Sequence, residues 1–166
     1  MLRKVAILGY PMNEPSAADK PRYMQLLREL AEAYRAFEAY SVPHIKSWGL
    51  TPAQFDVIAT LGNTDGLTFG ELGARTLIYK TTLTSVVDRL EARGIVARQP
   101  AERDRRSVIA TLTTDGVALF QRVFPEHREY LRQCLERMGH EDMEAAIQAL
   151  HQVRLAFRET AADTET

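Results

Sequence analysis

The sequence of 166 residues has few of the features that mark secreted or membrane proteins. Cys134 is the single cysteine, so an intrachain disulfide is impossible and a reducing cytoplasm is the expected compartment. No apolar run approaches the roughly 20 residues that a membrane span needs, and no small-residue cleavage site follows the short apolar run near the start. We therefore expect a soluble, cytoplasmic protein.

Signatures of catalysis and of metal binding are missing as well. The histidines are spread along the chain without the HExxH spacing of zinc enzymes, and no CxxC pair occurs. Neither a nucleophile elbow nor a phosphate-cradling glycine loop is present. The sequence thus predicts neither an enzyme nor a bound cofactor or metal, with a zinc site formed by His127, His140 and Glu126 as a minor alternative.

A strong net charge is also absent, because 21 basic and 22 acidic side chains leave the chain at −1. The charge is nevertheless unevenly distributed. The stretch from Arg75 to Arg106 has eight basic and four acidic side chains, a net charge of +4, which leaves −5 for the remainder. A local basic patch is typical of a nucleic-acid contact even in a chain that is nearly neutral as a whole.

What the sequence does contain is a series of helical patterns with clear start signals. Thr51 and Gln54 form a capping box ahead of one apolar helix, and Thr68 and Glu71 form a second box ahead of a short helix. In each box a threonine hydroxyl and a longer polar side chain satisfy two backbone amides of the helix start. The two boxes predict a pair of successive short helices.

A longer helix and two strands follow this pair. The helix is predicted for residues 80–93 and is closed by Gly94, with Leu83, Val86, Val87 and Leu90 toward the core. Short β-like runs at 95–99 and 108–112 flank a charged loop, 100–107. This order predicts a winged helix-turn-helix in a mainly α-helical fold with a small β-wing.

Asp104, Arg106, Leu112 and Thr113 form a pattern of an aspartate, any residue, an arginine, five more residues and then Leu-Thr. This pattern resembles the wing signature of the MarR family of bacterial transcriptional regulators. Residues 86–98, VVDRLEARGIVAR, are similar to the family's passage from recognition helix into the first wing strand. The likeness covers nearly the whole chain after residue 20 and implies a DNA-binding regulator.

The polar residues of the third helix and of the wing are the expected DNA contacts. Side chains near the start of a recognition helix reach base edges in the major groove, and an arginine loop can follow the minor groove. We place Arg105 at the wing tip. The resemblance implies that Asp104 and Arg106 brace the wing, and whether Arg106 braces or contacts DNA stays open. The expected DNA-binding residues are Lys80, Thr81, Thr82, Thr84, Ser85, Arg89, Arg103, Arg105 and Arg106.

Two positions depart from the family's pattern. Members often have serine where Tyr79 stands and a basic residue where Ser85 stands. Tyrosine cannot cap a helix as serine does, so the start of the recognition helix is open to a shift of one residue. The missing cation at Ser85 bears on which operator sequence is recognised, and it leaves DNA binding itself unaffected.

Apolar stripes on the first helix and on the last two helices flank the DNA-reading module. A two-fold dimer would bury them and would present two reading helices to two half-sites, as in the MarR arrangement. Pro43 is expected to interrupt the first helix, with residues 42–50 continuing as a bent or second short turn, and Pro125 is expected to kink or restart its helix. The predicted regions are an arm (1–20), a dimerisation helix region (21–50), a winged helix-turn-helix lobe (51–113) and C-terminal dimerisation helices (114–161).

MarR-like proteins commonly bind small aromatic or phenolic acids in a crevice between the dimerisation helices and the DNA-reading lobe. Phe37, Tyr40, His44 and Trp48 lie at the corresponding place in the chain and offer stacking surfaces with polar tips. An aromatic stripe at helical spacing is also typical of a packed core, and that interpretation stays open.

These observations together predict a homodimeric transcriptional repressor that binds a pseudo-palindromic operator in double-stranded DNA and is released by a small aromatic ligand. The alternative is a winged-helix module for protein–protein contact, in which the charges of the wing only keep the loop in solvent.

Overall fold

The computed structural model describes residues 21–76, 78–100 and 108–164. The chain divides into two units, Met1–Tyr40 and Ser41–Thr166. The first helix, α1 (Arg22–Ser47), spans the boundary between them, and it accounts for nearly all of the described part of the first unit. The predicted arm of residues 1–20 lies outside the described residues.

Helices α2 (Pro52–Leu61) and α3 (Phe69–Arg75) begin where the capping boxes predicted. The Gln54 amide donates to the Thr51 hydroxyl oxygen over 3.2 Å, and the Thr51 amide donates to the Gln54 side chain over 3.0 Å. In the second box, hydrogen bonds from the backbone and side chain of Thr68 lower the pKa of Glu71. Both boxes satisfy amides that a helix start otherwise leaves without acceptors.

Helix α4 (Lys80–Ala92) ends one residue earlier than predicted, with Arg93 at its C-cap. Gly94 follows with φ of +69°, a left-handed conformation that glycine adopts at little cost and that commonly ends helices. The chain then enters the sheet.

The sheet has three antiparallel strands in the order β1-β3-β2, comprising β1 (Leu67–Thr68), β2 (Val96–Pro100) and β3 (Val108–Leu112). The two predicted wing strands are confirmed, with β2 shifted by one residue. β1 is an addition, because the sequence places its first residue in a loop. Leu67 pairs with Ala110, and a two-residue strand that pairs so far along the chain has no periodic pattern to predict it.

Helices α5 (Thr114–Leu135) and α6 (His140–Thr164) complete the fold. The expected interruption at Pro43 is wrong, because α1 continues through it, and α5 continues through Pro125 without restarting. A proline removes one amide from the helical ladder. Both prolines are exposed, so each ring lies on the solvent side of its helix, where a gentle bend is tolerated. No helix of the described residues is long and apolar enough to cross a membrane.

The second unit has a continuous hydrophobic core to which α2, α3, α4, α5 and the sheet contribute. Thr113 caps α5 by accepting from the amide of Gly116, and its hydroxyl donates to Gly94 over 2.6 Å. These bonds hold the start of α5 against the end of α4. The largest of the fully buried side chains are Val57, Ile58, Leu61, Leu72, Leu83, Val87, Leu90, Val96 and Val123.

Candidate nucleic-acid interface

The two faces of α4 differ sharply in exposure. Leu83, Val87 and Leu90 are at most 1% exposed, Val86 is 5% exposed, and the helix packs on α2, α3 and β2. The prediction that these four side chains face the core is confirmed. The opposite face is exposed and polar, and it includes Thr81, Thr82, Thr84, Ser85, Asp88 and Arg89.

The start of α4 is open to a partner outside the helix. Tyr79 occupies the N-cap position, its side chain makes no capping hydrogen bond, and it is 79% exposed. The helix still begins at Lys80, where the sequence predicted it. The amides of Thr82 and Leu83 bond to the Tyr79 carbonyl, so the amides of the first two helical residues have no acceptor within the helix. The positive end of the helix dipole also lies here and favours negative charge.

Ser85 has part of its hydrogen-bonding capacity occupied. Its hydroxyl donates to the Thr82 carbonyl over 2.9 Å, a bond that exposed serines often form within helices. The oxygen remains able to accept a hydrogen bond. The family pattern has a basic residue at this position. Ser85 therefore differs from it both in charge and in hydrogen bonding.

Arg98 on β2 joins the first wing strand to α4. Its guanidinium donates to Asp88 over 2.5 Å and also bonds Glu91, and it lies over the ring of Phe69 on α3 at 5.3 Å from the centroid. The hydrogen bond with Asp88 raises the pKa of Arg98. Arg98 thus pairs with two of the four acidic residues in the basic stretch and joins β2 to α4. No local pattern in the sequence indicated this role, because the partners of Arg98 lie on two other elements, α3 and α4.

The strands that support the wing are described, whereas its tip is not. Pro100 pairs with Val108 in the β2–β3 ladder, so residues 101–107 connect the two strands. The predicted contacts Arg103, Arg105 and Arg106, and the bracing residue Asp104, all lie outside the described residues. Lys80 begins α4, and its side chain also lies outside the described part. These assignments remain predictions.

The four predicted ligand residues fall in different units. Phe37 and Tyr40 belong to the first unit, where Phe37 is 49% exposed. His44 and Trp48 belong to the second unit, where both are partly buried. The ring of His44 stacks on that of Tyr130 at 4.0 Å between centroids and meets the edge of Trp48 at 4.4 Å. His44 and Trp48 therefore pack within an aromatic cluster.

His127 on α5 is the centre of this cluster, and sequence reasoning considered it only as a zinc ligand. It is 5% exposed, bonds Ser41 through Nε2 and His44 through Nδ1, and meets the ring of Phe55 edge-on. Burial lowers the pKa of His127, and the neighbouring His44 lowers it further. The described residues hold no group of three or more side chains suited to a metal, so the zinc alternative gains no support from them.

A groove of about 320 Å³ opens beside Trp48. Arg93 of the α4 C-cap and Arg122 of α5 contribute cations to it, and Asp115 contributes one carboxylate. Arg93 also donates to the Gly49 carbonyl over 3.3 Å. The groove therefore combines an indole surface with two guanidinium groups, a combination able to hold a flat molecule that carries an acidic group.

The helix pair α2 and α3, the recognition helix α4 and a β2–β3 wing define a winged helix-turn-helix DNA-binding protein. Residues 48–107 match the model of the MarR family, as the wing pattern indicated. Over this stretch the chain is similar to the MarR family of transcriptional regulators.

Comparisons with individual relatives and solved structures show the same similarity. The chain is 28% identical over 132 residues to the HTH-type transcriptional regulator MhqR of Bacillus subtilis, covering 80% of this chain and 91% of MhqR. It shares its fold with AbsC, a MarR family transcriptional regulator of Streptomyces coelicolor, at a TM-score of 0.75 and 23% identity, over 84% of this chain and 97% of AbsC. The chain is also similar to BpsR of Bordetella bronchiseptica, with 25% identity and a TM-score of 0.69, over 85% of this chain and 97% of BpsR. The DNA binding of BpsR is regulated by 6-hydroxynicotinic acid.

Proposed function

We propose that this regulator is a cytoplasmic repressor that binds a pseudo-palindromic operator as a homodimer and leaves it when a small aromatic ligand binds. The observation that carries the proposal is the two-sided character of α4. Its apolar side chains are buried in the lobe, while the first two turns present threonine and serine hydroxyls to solvent. Hydroxyls that donate and accept, next to threonine methyl groups, are suited to base edges in the major groove.

Exposed apolar side chains at both ends of the chain support the dimer. On α6, Ile147, Leu150 and Phe157 are each more than half exposed. In the first unit, considered by itself, Tyr23 is 64% exposed and Phe37 is 49% exposed. Large apolar side chains exposed in numbers mark interaction surfaces, and a two-fold interface would cover the same patches on both subunits. We therefore assign dimerisation to residues 21–50 and 114–161.

The wing supplies the electrostatic part of the proposal. We infer that Arg105, with Arg103, contacts the minor groove, and that Asp104 and Arg106 brace the loop. Cationic contacts to DNA release counterions, so binding weakens steeply as salt rises. A protein–protein module with a merely solvated wing would show no such behaviour toward DNA.

Binding to the inverted repeat nearest the gene tests this part. The affinity of the wild-type protein, measured by fluorescence anisotropy, should fall roughly tenfold or more when the salt concentration doubles, because counterion release by several phosphate contacts becomes less favourable. Arg105→Ala should weaken binding and reduce the slope of log affinity against log salt by about 1. The matched control Arg128→Ala changes an exposed arginine of α5 and should leave the slope unchanged. If doubled salt and Arg105→Ala both leave the affinity unaltered, the wing does not contact DNA.

The ligand part of the proposal rests on the groove beside Trp48. An aromatic acid could lie against the indole with its carboxylate near Arg122, and the groove adjoins Arg93 at the end of α4. A ligand held there would bias the position of the reading helix if it favours one arrangement over another. BpsR offers a precedent, since a pyridine carboxylic acid regulates that relative. Whether Phe37, Tyr40 and His44 also line a ligand site stays a prediction.

A thermal-shift screen with 6-hydroxynicotinic, salicylic and homoprotocatechuic acids tests the ligand part. At 100 times its dissociation constant a ligand should stabilise the fold by about 2.7 kcal/mol. Trp48→Ala should abolish the shift, and Arg122→Gln should reduce it, whereas Arg132→Gln, elsewhere on α5, should not. A hit that stabilises the Trp48→Ala and Arg122→Gln variants as much as the wild type would remove the groove from consideration.

A further inference from the structure

We propose that His44 and His127 form a proton-sensitive latch between α1 and α5, which releases the operator when the protein is acidified. The regulatory part of this inference rests on the proposed function. The latch itself is a matter of the fold and is testable without DNA.

The geometry of the pair is the starting point. The Nδ1 atoms of His44 and His127 lie 2.9 Å apart, although the residues are 83 positions apart in the chain. Nε2 of His127 lies 3.1 Å from the Ser41 hydroxyl oxygen, so both nitrogens of this buried ring are engaged. Ser41 is itself 2% exposed. Two residues of α1 are thus joined to the middle of α5 through a single imidazole.

The 2.9 Å contact requires one proton between the two Nδ1 atoms. One nitrogen must donate and the other must accept, which neutral imidazoles can do. A first additional proton is tolerated on His44, because its Nε2 lies 3.8 Å from the carboxylate of Glu126 and its ring stacks on Tyr130. A stacked aromatic face stabilises a cation. The singly charged pair therefore keeps the contact.

A second proton breaks the contact. With both rings charged, two N–H groups face each other at hydrogen-bond distance and two cations lie side by side, so the interaction becomes repulsive. The groups that face it in the described residues are Ser41 from α1, Trp48 from the turn after α1, Phe55 from α2, and Glu126 and Tyr130 from α5. Only Glu126 among them carries a negative charge near neutral pH, and it lies beside His44.

The direction of the pH effect follows from His127. Burial and the neighbouring His44 lower its pKa from the ordinary value of 6.5. A histidine whose pKa is lower in the folded than in the unfolded state stabilises the folded state as long as its imidazole is neutral. This stabilisation is complete above pH 6.5, declines as the pH falls below 6.5, and is lost once the pH passes the lowered folded-state value. The latch is therefore closed near neutrality and opens in mildly acidic conditions.

Opening the latch would affect the reading lobe through α5. This helix starts against the end of α4 and packs on α2 and β3. General electrostatics would act in the opposite direction, because protonation makes the protein more positive and should strengthen its attraction to DNA. A loss of affinity in acid is thus a specific sign of the latch.

The test compares the wild type with His44→Gln and His127→Gln. In His44→Gln the amide oxygen can accept from a protonated His127, so the repulsion disappears while the contact survives. The control is His151→Gln, because His151 on α6 is exposed and does not belong to the pair. Two quantities are measured at constant ionic strength from about pH 7.5 to about pH 5.5, on either side of the ordinary histidine value: the free energy of unfolding and the affinity for the operator.

We expect the wild type and His151→Gln to lose stability in acid and to bind the operator about fivefold or more weakly, an effect typical of coupled sites. Both latch variants should keep nearly constant affinity and lose less stability. Equal acid dependence in the wild type and His44→Gln would overturn the latch. If no protein binds the operator at pH 7.5, the proposed function fails, and the unfolding measurement alone then decides whether the latch exists.

Discussion

Gly116→Ala is expected to destabilise the fold by about 3 kcal/mol, the upper end of the usual cost of forcing an extra methyl group into a packed site. A Cβ atom at Gly116 would lie 2.1 Å from the Ile95 carbonyl oxygen and 3.2 Å from Cβ of Leu112. The carbonyl cannot move freely, because it accepts a hydrogen bond from the Thr113 amide over 3.1 Å. The start of α5 must therefore shift away from the sheet, which strains the Thr113 cap and exposes core.

Gly70→Ala is the matched control for this variant. Gly70 is exposed on α3, and a Cβ there would meet nothing closer than the Thr68 hydroxyl at 3.9 Å. Alanine is the better helix former, so this change should stabilise the protein by roughly 0.5–1 kcal/mol. Urea unfolding followed by circular dichroism measures both variants. Equal stability of Gly116→Ala and wild type would show that the junction of α5 with the sheet is looser than described.

Local signals in the sequence predicted much of the reading lobe. The capping boxes of Thr51 and Thr68, Gly94 at the end of α4 and the two wing strands depend on neighbours within a few residues, and all appear in the structure. The buried face of α4 follows equally from helical periodicity. Such features can be predicted because short-range hydrogen bonds and side-chain period determine them.

Features that depend on distant contacts were missed. His127 has no motif of its own, and its role comes from Ser41 and His44, more than 80 residues earlier. Arg98 looked like one more cation of a basic patch, whereas it is bound to Asp88 and Glu91. The helices also continue through both exposed prolines. Contacts with residues far away in the chain leave no local pattern from which the sequence could predict them.

Thr81→Glu is expected to weaken operator binding by roughly 100-fold or more, since a like charge placed against DNA costs several kcal/mol. Thr81 is exposed in the first turn of α4, where we propose that the helix contacts DNA bases and phosphates. The variant should fold normally, because a carboxylate in the first turn of a helix interacts favourably with the helix dipole. A loss of binding would therefore report on the interface.

Thr114→Glu makes the same chemical change at the start of α5 and serves as the control. Thr114 is also exposed in a first turn. Its neighbour Thr113 bonds Gly94 at the far end of α4, and the 13 residues of that helix separate the two ends by about 20 Å. The control should therefore reduce affinity only slightly, through the long-range effect of one negative charge, which salt screens.

Measuring the operator affinities of these two variants side by side, at about 0.15 M salt, tests most directly whether the exposed start of α4 reads the operator. We expect a loss of roughly 100-fold or more for Thr81→Glu and of about threefold or less for Thr114→Glu, with unfolding midpoints close to that of the wild type. Equal affinities for Thr81→Glu and wild type, in a folded protein that binds the operator, would contradict the assignment of α4 as the reading helix.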